Sequence, residues 1–382
     1  MLPSRIVLST GNYHHIRDGV SLTLNRLVAY LLERSIDVRV LAPEVASPDL
    51  KHAGTLLGVP SVPAPGRPEY RVPLGIPPGV RRQVAEFSPD LVHIATPDPV
   101  GHSLLGWARR NRVPVASSFH TNFISYLGYY RLGWLEPFGW RLIRNFYNRC
   151  DHVYVPTGSM RDELVSRGVE PGRLRLWQRG VDTKLFNPGR RDAEWRRSRG
   201  FADTDVVVLY VSRLVAEKNT DLFADVVRTL RQRDPGVKGL VVGEGPARES
   251  MRRRLPDGVF TGRLQGEELA CAYASSDLFY FPSTTETFGN VTLEAMASGL
   301  PCVVADASGG SSLVMHAQTG YVVDTGGMEP SIRALSGLIG DPGLRAELGR
   351  AARAASLDFT YDGIHSRILA YYKELLGTAD RH

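Results

Sequence analysis

Cysteine is scarce in this chain. Only Cys150, Cys271 and Cys302 occur in 382 residues, without the close spacing of a metal site or redox motif. A sparse, odd set excludes a disulfide framework and suits a reducing compartment. No apolar run approaches the about 20 residues that a membrane-spanning helix needs. Met1-Leu2-Pro3-Ser4-Arg5 leads directly into a strand pattern, which leaves no room for a cleaved leader. A cytoplasmic protein, at most peripheral on the inner face of a membrane, is therefore expected. The first strand-to-helix loop, Thr10 to Gly19, lacks G-x-G-x-x-G, which disfavours a dehydrogenase-type dinucleotide site. No dedicated metal cluster is seen, so no metal and no resident cofactor is expected. No Lys/Arg-rich module of a nucleic-acid-binding type appears, and nucleic acid is not an expected partner.

What is present is length and alternation. At 382 residues the chain exceeds one ordinary core, and two domains are expected. Residues 1–190 carry 24 Lys and Arg against 15 Asp and Glu, whereas the remainder carries 22 against 25. The basic first half suggests an anionic partner such as a lipid headgroup surface. Both halves alternate short apolar runs with helical periodicity, the pattern of doubly wound α/β domains. Arg5–Ser9, Val38–Leu41, Leu91–Ala95, Pro114–Ser118, His152–Pro156 and Arg173–Trp177 read as strands of the first domain, with a helix over Val20–Arg34. Val206–Tyr210, Val237–Val242, Val259–Gly262, Leu278–Phe281, Pro301–Ala305 and Tyr321–Val323 read as strands of the second. The first domain is placed at 1–188, a polar arginine-rich linker at 189–204, the second domain at 205–360 and a terminal helix at 361–382. Residues 45–79, rich in proline and glycine, are expected to be irregular, with one or two strands.

The chemistry concentrates between Phe281 and Pro301. Polar residues Ser283 to Asn290 follow a strand, Val291 to Ser298 form a short helix, and Gly299-Leu300-Pro301 stops it. The amides of Phe288, Gly289 and Asn290 then lie at a helix N-terminus, which suits phosphate. Glu286 and Glu294 flank them. Two carboxylates would repel phosphate, so each is expected to accept from hydroxyls. Hydroxyls at both ends with phosphates between describe a nucleotide-diphosphate sugar. His93 falls inside a strand and is assigned to packing, whereas His120 follows a strand end, where α/β sheets gather ligand groups.

Glu286 and Glu294, with Phe-Gly inside and Glu-Ala-Met-Ala-Ser-Gly-Leu-Pro following, resemble the E-x7-E motif of retaining GT4-type glycosyltransferases. Ser212-Arg213-Leu214-Val215-Ala216-Glu217-Lys218 resembles that family's R-x4-K pair. Arg179-Gly180-Val181-Asp182 through Phe186-Asn187-Pro188 resembles the segment closing its first domain. The resemblance implies the GT-B architecture: two Rossmann-like domains facing a cleft, with the terminal helix crossing back to the first. It implies that His120 and Glu286 orient the donor sugar as the catalytic residues. Gly19, Arg213, Lys218 and the amides of Phe288, Gly289 and Asn290 would hold the diphosphate; for Gly19 the alternative is a glycine kept only for turn geometry. Arg263 and Leu264 would meet the nucleobase, and Glu294 the ribose. The implied activity is transfer of a hexose from a UDP- or GDP-linked donor to a hydroxyl acceptor with retention. A nucleotide-sugar epimerase, a phosphorylase and a catalytically silent nucleotide-sugar or membrane-binding protein are the alternatives.

Phe123 to Arg149 interleaves Tyr126, Tyr129, Tyr130, Trp134 and other aromatics with Arg131, Arg141, Arg144 and Arg149. Such a stretch rests on an anionic bilayer or packs its rings on the sheet. His-Thr-Asn-Phe with the following tyrosines also resembles a GT4 subgroup of mannosyltransferases and sulfoquinovosyl- or glycosyl-diacylglycerol synthases. That likeness implies a lipid acceptor and an anionic membrane surface as partners.

Overall fold

The computed structural model describes residues 2–379 apart from 17, 65, 66, 120–133, 135, 287 and 308. The chain forms two compact units, residues 1–178 with 364–382, and residues 179–363.

In the first unit, β1 (Arg5–Ser9), β2 (Asp37–Pro43), β3 (Thr55–Val59), β6 (Leu91–Ile94), β7 (Val115–Ser118), β8 (His152–Val155) and β9 (Leu174–Leu176) form one sheet. Its order is β3-β2-β1-β6-β7-β8-β9, and every pairing is parallel. Ile6, Val7 and Leu8 of β1, an interior strand, are fully buried, as a parallel strand covered on both faces requires. The helix Gly19–Leu32 presents Leu24, Leu27, Val28 and Leu31 to the interior. It is capped by Asp18, whose carboxylate accepts from the Ser21 amide at 2.8 Å.

Residues 45–79 are more ordered than their composition suggests. They contain β3, which joins the sheet as its edge, and an antiparallel hairpin of β4 (Ser61–Ala64) and β5 (Arg67–Pro73). A helix then runs over Pro78–Phe87 with proline in its first turn. Only Val84 and Phe87 of this helix are buried.

The terminal helix Tyr361–Ala379 belongs to the first unit from Ile364 onward. Ile364, Ile368, Tyr372 and Leu375 are buried along one stripe. The Tyr372 hydroxyl lies 2.6 Å from His93 Nδ1, and His93 Nε2 lies 2.6 Å from Ser118 Oγ. Burial pushes the His93 ring down to about 3, so it packs as a neutral, fully bonded core group. That is the packing role its strand position suggested.

In the second unit, β10 (Val206–Val211), β11 (Val237–Val242), β12 (Val259–Gly262), β13 (Leu278–Phe281), β14 (Cys302–Ala305) and β15 (Gly320–Val323) form a parallel sheet. Its order is β12-β11-β10-β13-β14-β15. The order reverses between β10 and β13, and the loops leaving those two strands become neighbours.

The stretch expected to be a linker, 189–204, is folded into this unit. It carries the short helix Ala193–Ser198, capped by Asp192. Arg196 is buried and donates to the carbonyls of Ser275, Ala202 and Asp205 and to the Asp277 carboxylate at 3.0 Å. Arginine and polarity suggested a solvated connection. Here the guanidinium instead satisfies a set of backbone acceptors at the sheet's amino edge.

Asp98 caps the helix Pro99–Arg110 at the first sheet's own reversal, accepting from the Gly101 amide at 2.8 Å. Burial pushes its carboxyl up to about 6, against the pull of the Gly101 and Val100 amides. The folded state therefore holds this proton more tightly than the unfolded chain. Its contribution is complete below the ordinary carboxylate range and is lost as pH rises through about 6. Asp98→Asn keeps a cap acceptor without the charge. Its melting temperature relative to wild type should be more favourable at pH 8 than at pH 4, and an equal difference at both pH values would refute this account.

Candidate active site

At the end of β10 the chain turns through Ala216–Lys218 into Asn219, which adopts left-handed backbone (φ 51°) and starts the helix Thr220–Arg233. This turn aims Lys218 inward. Its Nζ donates to Glu286 Oε1 at 2.6 Å and to Thr285 Oγ1 at 3.1 Å. Asn219 Nδ2 donates to the Pro282 carbonyl at 2.8 Å, and the Tyr210 hydroxyl to the Lys218 carbonyl at 3.1 Å. The two loops at the switch point are thus joined by an ion pair and by backbone-directed bonds. Lys218 is buried and Glu286 is mostly so, so removing one partner alone would cost about 3–5 kcal/mol.

The glycines set how closely the loops approach. Gly309 has φ +72°, and a Cβ there would sit 2.5 Å from the Glu286 carbonyl oxygen and 2.7 Å from the Phe288 nitrogen. Gly243 has φ +140°, and a Cβ there would run into the Ser212 carbonyl. Backbone therefore packs on backbone on both sides of the pair. Gly289 (φ 97°) starts the helix Asn290–Ala297, which has no side-chain cap. Thr292 Oγ1 in its first turn is buried without a hydrogen-bond partner. Phe288 is buried against the core, leaving main chain to line the helix start. Such a terminus favours an anion.

The other expected site residues divide. Glu294 lies one turn along that helix, and its Oε2 accepts from the buried Tyr273 hydroxyl at 3.0 Å. Tyr273 carried no motif signal; only the rule that a buried phenol needs a partner could have pointed to it. Arg213 does not join Lys218. Its side chain is 66% exposed and pairs with Glu217 at 3.7 Å. Arg263 is exposed after Gly262, and Leu264 packs on the core. Gly19 is the exposed first residue of its helix in the first unit. His120, Tyr126, Tyr129, Tyr130 and Arg131 lie outside the described residues. Trp134 is 76% exposed. Beyond it, the helix Glu136–Tyr147 buries Trp140, Ile143, Phe146 and Tyr147 and leaves Phe138, Arg141 and Leu142 exposed. Within this helix the rings of Trp140, Phe146 and Tyr147 thus pack inward, as the packing reading expects.

The model named Glycosyltransferase Family 4 matches residues 17–185, and the model named Glycosyl transferases group 1 matches residues 191–355. A GDP-mannose-dependent alpha-mannosyltransferase of Mycolicibacterium smegmatis is 33% identical over 365 residues, covering 94% of each chain. The chain belongs to the GT4-type glycosyltransferases. A sulfoquinovosyl transferase of Arabidopsis thaliana is 31% identical over 357 residues, 92% of this chain and 69% of that protein. The crystal structure of Anabaena HepE in complex with UDP superposes with a TM-score of 0.75 at 20% identity, covering 97% of this chain and 100% of that one. That likeness is one of fold, and the fold is GT-B. The protein is thus a glycosyltransferase, a hexosyltransferase that uses a nucleotide sugar.

Gly309→Ala and Gly243→Ala in this glycosyltransferase should each cost about 1–3 kcal/mol in urea denaturation. Gly172→Ala, with nothing near its Cβ, should stay within about 0.5 kcal/mol. Equal losses at all three would show that the close approach at the site is not the cause.

Proposed function

We propose that this glycosyltransferase moves a hexose from a UDP- or GDP-linked donor to a hydroxyl of a membrane lipid, such as diacylglycerol or a glycolipid precursor. Transfer proceeds with retention and without a metal ion. The observation that carries the reading is the Lys218–Glu286 pair beside an uncapped helix start. It sets a cation for the diphosphate, amides for its oxygens and a carboxylate for sugar hydroxyls within one pair of loops. The GDP-mannose dependence in the name of the M. smegmatis relative makes GDP-mannose the first donor to test.

The chemical difficulty is charge on the departing diphosphate as the sugar becomes oxocarbenium-like. Lys218 and the amides of Phe288, Gly289 and Asn290 stabilise that charge as preorganised electrostatics. Arg213 adds a second cation by turning from Glu217. Glu286 and His120 orient the sugar, Glu294 takes the ribose, Arg263 and Leu264 the base, and Gly19 approaches the diphosphate. Retaining hydrolases set two carboxyl groups about 5–5.5 Å apart. Glu286 is paired with a lysine instead, which favours a front-face route in which the leaving phosphate oxygen takes the acceptor proton.

The lipid acceptor is supported by the outer face of Glu136–Tyr147. Exposed Phe138 and Leu142 beside Arg141, with Trp134 just before the helix, suit rings at headgroup depth and guanidinium on phosphate. Among the described residues no helix is long and apolar enough to cross a membrane.

Two measurements test these assignments. Lys218→Ala should lose most of the thermal stabilisation by UDP or GDP, whereas Glu286→Gln should keep it and lose the further rise given by the nucleotide sugar. Transfer should fall about 10²–10³-fold in each; full transfer by folded Lys218→Ala would end the assignment. Separately, the chain should sediment with anionic vesicles at low salt, and Phe138→Ser with Leu142→Ser should weaken that partition about tenfold or more. Recovery of the wild type in the supernatant would remove the membrane reading.

A further inference from the structure

The helix Gly266–Ala274 follows β12, and its last turn carries Tyr273. The Tyr273 ring is fully buried. It lies edge-on to Phe186, with ring centres 5.6 Å apart, and 6.1 Å from Phe279. Apolar packing therefore fixes where its hydroxyl sits, whatever that hydroxyl bonds. What it bonds is Glu294 Oε2, at 3.0 Å, on the helix Asn290–Ala297. Leu293 and Ala295 on either side of Glu294 are buried, and Glu294 itself is half-buried. The core thus reaches through one phenol to a carboxylate at its surface.

A buried phenol needs an acceptor, and a neutral one suffices. Tyr210 donates to the Lys218 carbonyl and Tyr280 to the Ser331 hydroxyl. Tyr273 instead meets a carboxylate, and holding a charge partly out of water is the less stable choice. Orienting that carboxylate accounts for the choice. Burial first, and the Glu294 charge second, push the Tyr273 phenol well above its ordinary value, so it keeps its proton and acts only as a donor. A glutamate side chain is long and rotamer-rich, and ordering it when a ligand arrives costs affinity. The phenol orders it beforehand. A carboxylate has about four acceptor positions. The phenol occupies one on Oε2, and the vicinal hydroxyls of a ribose can take others.

We infer that Tyr273 is a positioning residue: its hydroxyl holds Glu294 in the orientation that receives the ribose hydroxyls of the donor, and so sets the preference for a ribonucleotide over its deoxy counterparts. The inference rests on the assignment of Glu294 to the ribose proposed above. The test measures binding of GDP, 2′-deoxy-GDP and 3′-deoxy-GDP, with the matching uridine series, to the full chain by calorimetry. Wild type should prefer the ribonucleotide over at least one deoxy form about tenfold or more, as loss of a hydrogen bond to a charged group requires. Tyr273→Phe keeps the ring and its packing, and should reduce that preference to about threefold or less, chiefly by weakening the ribonucleotide. Glu294→Gln should abolish it. Suppose Tyr273→Phe weakens all forms equally, or leaves the preference intact, while Glu294→Gln abolishes it. Tyr273 then serves packing alone, and the inference falls with the ribose reading standing. If Glu294→Gln keeps the wild-type preference, or wild type shows none, the ribose reading falls and takes the inference with it. Glu294→Asp covers the case in which Tyr273→Phe does not fold. It keeps the charge but draws it one methylene away from the phenol, so it should lose the preference as Tyr273→Phe does; a retained preference would overturn the inference.

Discussion

Lys218 and Glu286 are 68 residues apart in the chain and 2.6 Å apart in space. Their meeting depends on strand order. β10 and β13 are neighbours only because the second sheet reverses its winding between them, so the loops leaving both strands share one edge. The pair is largely withdrawn from water, so each charge depends on the other for its solvation. Thr285, Asn219 and the tight backbone of Gly309 hold the two loops in register around it. A diphosphate beside Lys218 would compete with Glu286 for the ammonium.

The first unit uses its sheet edge differently. Where the second unit sets a charged pair, the loop after β1 carries imidazoles that burial keeps neutral, and the loop after β6 a buried carboxyl that holds its proton unusually well. Its opposite concern is anchoring. The terminal helix is tied down by apolar residues and by the run from Tyr372 through His93 to Ser118, so a chain end becomes part of a core. A histidine spent on that role is unavailable for chemistry, which is why its position inside a strand was informative.

The alternation of apolar strands with amphipathic helices was legible because each element buries its own local pattern. Most strand ranges followed from runs such as Val206–Tyr210, and the helix starting at Asn290 followed from its glycine stops. The helix Pro78–Phe87 escaped because it is short and polar on average, with few apolar residues to draw attention to the face they share. The 189–204 stretch misled for a related reason. A buried arginine is spelled like an exposed one, and only the carbonyls around Arg196 distinguish them. Arg213 shows the converse: the motif pairs it with Lys218, whereas its side chain lies with Glu217 in solvent.

Composition, periodicity and a few short motifs thus determined the class of fold, the number of cores and the family. These are local properties, written in residues close together along the chain. Tertiary structure alone decided that Lys218 grips Glu286 and that Glu294 answers to Tyr273. Each depends on strands and loops brought side by side across long stretches of chain, and no spacing within a segment encodes which loop its neighbour will be.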